Sequence, residues 1–179
     1  MRSETYSTPG PLRLNLEIPS GEIEIETGNT AETRVELEAI ANNDAIRDLV
    51  ENSRIELVRR GYAAFGSGDM DTLRQLIAED VVWHTGGHNP LSGDSKGLEE
   101  TLGLFARFFE VTGGDIRQEL HDVLANDEHA VVLLKQHLGR PDGRSYDGND
   151  VHVFHIADGK VTEFWDHAGD EAASDAALA

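Results

Sequence analysis

Cysteine is absent from the 179 residues of this chain, which excludes disulfide bonds, thiolate metal sites and cysteine nucleophiles. No apolar run approaches the roughly 20 residues that a membrane-spanning helix requires. The opening residues Met-Arg-Ser-Glu-Thr-Tyr lack the apolar segment of a secretory signal. These absences favour a cytoplasmic protein that has no membrane partner.

Basic residues are scarce, since 15 Lys and Arg stand against 34 Asp and Glu, for a net charge of −19. Such a charge opposes binding to nucleic acid phosphates and to anionic membrane surfaces. The glycine-rich nucleotide-binding loops and the Gly-x-Ser-x-Gly motif of serine hydrolases are also missing from the sequence. With 39% apolar residues, the chain otherwise has the composition of a globular protein with a real core.

The first 43 residues show the period-two alternation that is typical of half-buried strands. Apolar and polar residues alternate in three stretches, over residues 12–17, 22–26 and 34–38. Through Pro19-Ser-Gly-Glu-Ile-Glu-Ile25 the segment resembles the opening of a bacterial adhesin-type domain of unknown function. That resemblance implies β-structure and no chemistry. We therefore predict that residues 1–43 form a β-meander extension, which packs on the main domain or on a second copy.

From residue 44 the apolar period lengthens to that of helices and later returns to that of strands. Three amphipathic helices are predicted, over residues 44–65, 72–78 and 98–110. Four strands separated by turn residues are predicted, over residues 116–125, 129–139, 144–157 and 160–167. Residues 171–179 are small and polar, and they predict a flexible tail.

Five segments carry a second resemblance: Tyr62-Ala-Ala-Phe-Gly-Ser-Gly-Asp69, Val81-Val-Trp-His84, Asn89-Pro-Leu-Ser-Gly93, Phe154-His-Ile-Ala-Asp-Gly-Lys-Val161 and Glu163-Phe-Trp-Asp166. Through them, residues 55–170 resemble the nuclear-transport-factor-two-like domain of the SnoaL-like polyketide cyclase and ketosteroid isomerase group. The resemblance implies an α+β fold over residues 44–170. In this fold a cone-shaped, curved antiparallel sheet wraps on three helices around a central pocket.

The same resemblance indicates three candidates for acid–base chemistry, which are His84, His152 and Asp166. When Asn89 to Gly93 is aligned with the Pro-x-Ser-Gly turn of the ketosteroid isomerases, His84 occupies the position of their aspartate base. His152 then lies near the strand position of their oxyanion donor. In SnoaL-like cyclases a histidine and an aspartate on strands perform acid–base work, and His152 with Asp150 or Asp166 can supply that pair. Because histidine titrates near neutrality, His84 can act as a general base or can be a hydrogen-bonded structural residue.

Strand alternation constrains which of these residues can face a pocket. Either Trp83 or His84 faces it, and His152 shares a face with Phe154. Six residues are predicted to contact a ligand, although the aromatic ones can equally belong to the core: Tyr62, Trp83, His88, Phe105, Phe154 and Trp165.

Two histidine pairs, His84 with His88 and His152 with His155, suggest a metal site. Residues three apart on a strand face opposite sides, so the second pair cannot bind one ion without distortion. The resemblance implies no metal either. We therefore predict neither a metal nor a cofactor.

The resemblance implies a homodimer, and we predict that its pocket takes a small hydrophobic carbonyl compound. Its chemistry would be cofactor-free proton transfer in an isomerisation, cyclisation or dehydration, with His84 as base and His152 or Asp166 as its partner. The alternative is a non-catalytic ligand-binding, dimerisation or scaffold module. In a scaffold, side chains would fill the space that an enzyme keeps open.

Overall fold

The computed structural model describes residues 2–7, 24–26, 32–37 and 44–179, with side chains from residue 47 onward. The chain divides into two units, residues 1–49 and 50–179, and each unit contains one sheet.

The first unit contains a three-stranded antiparallel sheet, whose strand order is β1-β3-β2. Its strands are β1 Arg2–Ser7, β2 Glu24–Glu26 and β3 Glu32–Leu37. The two predicted strands over residues 22–26 and 34–38 are confirmed within β2 and β3. The predicted strand over residues 12–17 lies outside the described residues, and β1 was not predicted.

Four helices follow: α1 Asp44–Ser67, α2 Met70–Leu76, α3 Leu98–Thr112 and α4 Glu171–Leu178. The first three confirm the predicted helices to within two residues at each end. Asp69 caps α2, because its carboxylate accepts hydrogen bonds from both the backbone N–H and the hydroxyl of Thr72. Of the helices that the structure describes, none combines the length and apolar content needed to span a membrane.

The second unit contains a six-stranded sheet with the order β5-β4-β9-β8-β7-β6. Its strands are β4 Ile77–Thr85, β5 Gly93–Lys96, β6 Ile116–Ala125, β7 His129–Gly139, β8 Ser145–Ala157 and β9 Lys160–His167. The four predicted carboxy-terminal strands are confirmed. Strand β5 was not predicted, because the short polar segment Gly-Asp-Ser-Lys carries no alternation of apolar residues.

Neighbouring strands of this sheet are antiparallel except for β4 and β9, which are parallel. The sheet is therefore antiparallel, as predicted, apart from this one pair. A parallel pair needs a long crossover, and here that connection includes α3 and four strands. Irregular register between Ile77 and Val82, and between Leu120 and Asp122, marks bulges that bend the sheet.

The main core lies on one face of the six-stranded sheet. Val132 and Leu134 of β7 and Phe154 of β8 point inward, where they pack with buried residues of α1 to α3 such as Val58 and Phe105. A second cluster joins Leu104 and Leu138 to the last helix. The packing follows from strand alternation, because buried residues alternate with more exposed ones along much of β7 and β8.

The expectation of a flexible tail at residues 171–179 is wrong, since α4 occupies most of this segment. Asp170 caps the helix by accepting a hydrogen bond from the backbone N–H of Ala173, at 3.0 Å. Leu178 is only 3% exposed and packs in the second cluster. The cap and this buried leucine contribute to ordering a segment whose composition is otherwise small and polar.

Candidate functional site

A cavity of about 100 Å³ lies between the inner face of the six-stranded sheet and helices α1 to α3. One water molecule requires roughly 10–15 Å³ on the same measure, so the space can admit a small ring compound. Its walls are mostly apolar, with a few polar groups on the sheet side. Six of the predicted site residues line it, namely Tyr62, Trp83, Phe105, His152, Phe154 and Asp166.

A chain of three polar side chains crosses one wall of this cavity. His152 and Asp166 are direct partners in the antiparallel register of β8 and β9, and both side chains face inward. His152 Nε2 lies 3.3 Å from Asp166 Oδ1. On its other side His152 Nδ1 lies 2.6 Å from the Tyr62 hydroxyl oxygen of α1. The imidazole is 6% exposed, so both of its nitrogens are engaged away from bulk water.

The Tyr62 hydroxyl stays protonated over the whole physiological range. Burial raises the pKa of this phenol far above its usual value, and the nearby charges of Asp166 and Asp150 raise it further. A neutral phenol can donate one hydrogen bond and accept others. Tyr62 is therefore a hydrogen-bond donor at the edge of an apolar space.

The direction of the hydrogen bonds among Tyr62, His152 and Asp166 depends on whether the His152 imidazole is neutral or protonated. With a neutral imidazole, Nε2–H donates to Asp166 and the Tyr62 hydroxyl donates to Nδ1. With a protonated imidazole, both nitrogens donate, one to Asp166 and one to the Tyr62 oxygen. The phenolic proton is then free to donate to a ligand oxygen in the cavity. The arrangement can thus deliver a strong donor and a carboxylate to the same small ligand.

The structure places Trp83, and not His84, at the cavity. Trp83 stacks on Phe164 of β9 with ring centroids 3.8 Å apart, while His84 points to the opposite face of β4. There His84 Nε2 lies 2.9 Å from Glu163 Oε1, and Nδ1 lies 2.7 Å from Asp94 Oδ1. The hydrogen bond to Glu163, followed by that to Asp94, raises the pKa of His84 against the opposing effect of desolvation. This geometry corrects the expectation that His84 is the base inside the pocket.

Trp165 and His88 also lie outside the cavity. Trp165 follows the same alternation as His84 and stacks on its ring, with centroids 5.5 Å apart. The side chain of His88 is 88% exposed, and its Nδ1 lies 3.7 Å from Glu171 and 3.8 Å from Asp175. These three groups are close enough to hold an ion, although two of them are exposed to solvent. The expectation that His88 contacts a ligand in the pocket is not supported by its position.

Asp150, the alternative partner for His152, has a structural role. It is buried and accepts hydrogen bonds from the Tyr146 hydroxyl, at 2.5 Å, and from the backbone N–H of Gly169, at 2.9 Å. Burial, followed by the hydrogen bond to Asp150, raises the pKa of Tyr146 to about 12. The pair therefore fixes the turn between β9 and α4.

Three polar cavity residues were missed in the sequence. Gln118 donates to Gln136 across β6 and β7, at 3.0 Å. Thr85, 7% exposed, lines the cavity, and its Oγ1 is buried without a hydrogen-bond partner. Alternation from Trp83 could have identified Thr85, because the two residues share a strand face.

Comparisons with known proteins agree with this architecture. An uncharacterized protein of Mycobacterium tuberculosis H37Rv is 26% identical over 127 residues, which cover 71% of this chain and 97% of that protein. The structure of Bal32a, from a soil-derived mobile gene cassette, is similar with a TM-score of 0.69 and 35% identity, covering 73% of this chain and 99% of Bal32a. An NTF2-like protein of unknown function from Burkholderia pseudomallei has a TM-score of 0.64 and 24% identity, with coverages of 70% and 97%.

The predicted nuclear-transport-factor-two-like fold is confirmed by these structures. The SnoaL-like domain family matches residues 58–164, a range that runs from α1 to β9 and contains most of the cavity wall. The chain therefore belongs to the SnoaL-like domain family.

Proposed function

We propose that this protein binds a small hydrophobic carbonyl compound in the cavity and catalyses proton transfer on it. The observation that carries the proposal is the chain from Tyr62 through His152 to Asp166 in the wall of an otherwise apolar space. Membership of the SnoaL-like family supports a small-molecule ligand. The reaction class is isomerisation, cyclisation or dehydration.

Each group in the chain has a definite role in this proposal. Asp166 keeps lone pairs beyond the contact with His152, so it can accept a proton from the carbon next to the carbonyl. With His152 protonated, the Tyr62 hydroxyl donates to the carbonyl oxygen, where negative charge develops. His152 holds both partners in position and, when protonated, offsets the added charge. Proton transfer of this kind requires no cofactor.

The open cavity favours ligand binding over the scaffold alternative. A module that serves only assembly has no need for a buried space with polar groups on one wall, and side chains would fill it. Here about 100 Å³ remains unfilled next to three hydrogen-bonded polar residues. The protein can bind a ligand without catalysing proton transfer, so binding and catalysis are tested by different experiments.

The test is exchange of the α-protons of small cyclic ketones such as cyclohexanone and 1-indanone in D₂O, followed by NMR. We expect the protein to accelerate exchange, and Asp166→Asn to reduce that acceleration by about 10²-fold or more. Tyr62→Phe should slow it while leaving ketone binding detectable by ligand-observed NMR. His155→Ala is the matched control, since His155 lies on the same strand but contacts Thr162 on the other face. Exchange at the buffer rate, or equal losses in His155→Ala and Asp166→Asn, would contradict the catalytic proposal.

We also propose that the protein is a homodimer formed across the outer face of the six-stranded sheet, as the family resemblance implies. Val131 of β7, Val153 of β8 and Trp165 of β9 lie side by side in register on this face. All three are only half-buried, which leaves an apolar stripe across the middle of the sheet. Burial of this stripe against a second copy contributes favourable free energy to dimer formation.

A further inference from the structure

A second, smaller space adjoins the cavity and differs from it in chemistry. It has a volume of about 20 Å³, which is enough for one small polar group. Five residues line both spaces, which places the spaces side by side: Thr85, Phe108, Gln136, Leu138 and Asp166. We call this smaller space the recess. Its remaining wall comes from the loop after β4, from Asp150 of β8, from Ala168 and from α4.

Carboxylates dominate the recess. Asp150, Asp166, Glu171 and Asp175 contribute to its wall, and none of its described lining residues is basic. Asp150 and Asp175 are already hydrogen-bonded within the protein, to Tyr146 and to the loop at Asn89 respectively. Their charge nevertheless gives the recess a negative potential, which attracts donors and cations and repels anions.

Thr85 is independent evidence that a polar group of a ligand binds in the recess. Its side chain is more than nine-tenths buried, and its Oγ1 has no hydrogen-bond partner. Thr85 and Asp166 lie on the adjacent parallel strands β4 and β9, where His84 pairs with Trp165 just before them. Alternation turns both side chains to the inner face, at the point where the cavity meets the recess. A buried hydroxyl without a partner is costly in a folded protein unless something else satisfies it.

We propose that the ligand has an apolar body with one terminal hydroxyl or amine, and that this donor group enters the recess and binds Thr85 and Asp166. The apolar body then occupies the larger cavity beside Tyr62 and His152. A compound with a carboxylate in the same position is rejected by the surrounding acidic groups. This inference rests on the ligand-binding part of the proposed function and adds the class of ligand.

The test compares four probes with one ring and different ends: 2-phenylethanol, 2-phenylethylamine, phenylacetate and ethylbenzene. Binding to the full chain is measured by ligand-observed NMR and by thermal shift at pH 7. We expect the alcohol and the amine to bind at least ten-fold more tightly than phenylacetate. Thr85→Val should weaken the alcohol and the amine several-fold while leaving ethylbenzene unchanged. Thr85→Ser, which keeps the hydroxyl, is the matched control.

Thermal stability separates a ligand contact from a structural role. Because the hydroxyl has no partner in the protein, Thr85→Val should keep or raise the melting temperature while it loses the preference for donor ends. Binding of phenylacetate as tight as that of the alcohol, or an unchanged preference in Thr85→Val, would overturn the inference and leave the cavity proposal intact if ethylbenzene still binds. If none of the four probes binds, the ligand-binding part of the proposed function fails, and this inference fails with it.

Discussion

Two histidines, on strands β4 and β8 of the same sheet, show how surroundings decide the role of a side chain. His152 is buried at an apolar cavity between a phenol and a carboxylate. His84 is held by two carboxylates on the opposite face of the sheet, where its side chain is 28% exposed. The first arrangement suits chemistry on a bound ligand, and the second suits stabilisation of a protonated imidazole.

The stability contributed by His84 should depend on pH. Its folded pKa is raised above the ordinary value of about 6.5, chiefly by the hydrogen bond to Glu163. The stabilisation is therefore fully present below about pH 6.5 and is lost as the pH rises through the folded pKa. We expect His84→Gln to lower the free energy of unfolding more at pH 6 than at pH 9, as measured by urea denaturation.

A double-mutant cycle with Glu163→Gln isolates this pair from other titrating groups. His137 also has a raised pKa, from Asp147 and then Asp115, but its contribution cancels in the difference. The coupling between His84 and Glu163 should be measurable at pH 6 and close to zero at pH 9. Equal coupling at both pH values would show that the contact does not depend on the imidazolium.

Among the helices and strands, α4 is one that the composition of its residues does not predict. The guanidinium of Arg140 donates to the carbonyls of Leu178 and Ala179, at 2.8 and 2.9 Å. Within the helix, Asp175 accepts hydrogen bonds from the backbone N–H of His88 and from Asn89 Nδ2. These long-range contacts hold a short helix that is too brief to be stable alone.

Removal of the one buried leucine should loosen α4. We expect Leu178→Ala to destabilise the protein by about 2 kcal/mol, at the lower end of the range for buried leucines because a terminal helix can relax. This corresponds to a fall in melting temperature of roughly 6 °C by calorimetry. Leu124→Ala is the control. Leu124 is an exposed leucine on β6, so its replacement should change the stability of the protein little. Similar losses at both positions would mean that α4 does not contribute to the core.

The other elements illustrate what local pattern can and cannot predict. Helices α1 to α3 and strands β6 to β9 were predicted closely, because their apolar residues repeat at the helix or strand period. Strand β5 was missed because it exists through pairing with β4, as in Trp83 with Ser95, and not through its own residues.

For the whole molecule, we propose that residues 44–179 fold as an independent domain and that the amino-terminal strands are not needed for its assembly. The second unit contains the whole six-stranded sheet and both described apolar clusters. A chain that begins at residue 44 should unfold cooperatively and sediment as a dimer, like the full chain. A dimeric full chain with a monomeric shortened chain would instead place the interface in the amino-terminal strands.

In the same sedimentation experiment, Val153→Arg tests directly whether the outer face of the six-stranded sheet forms the dimer interface. Val153 lies between Val131 and Trp165, so a charge there should oppose burial of the stripe and yield a monomer. Circular dichroism and ethylbenzene binding check that the fold and the cavity remain.

By itself, the sequence determined the acidic net charge and excluded disulfide bonds and thiolate sites, because charge and cysteine content do not depend on packing. It determined most elements and the alternation of β8 and β9, since these follow from local periodicity. Only the tertiary structure decided that Trp83 and not His84 faces the cavity. Alternation places the two side chains on opposite faces of β4, but it does not say which face packs against the helices. The tertiary structure also joined Tyr62 to His152, which are 90 residues apart in the chain, and left Thr85 unpaired beside Asp166. Such contacts arise from sheet order and helix packing, which local pattern does not encode.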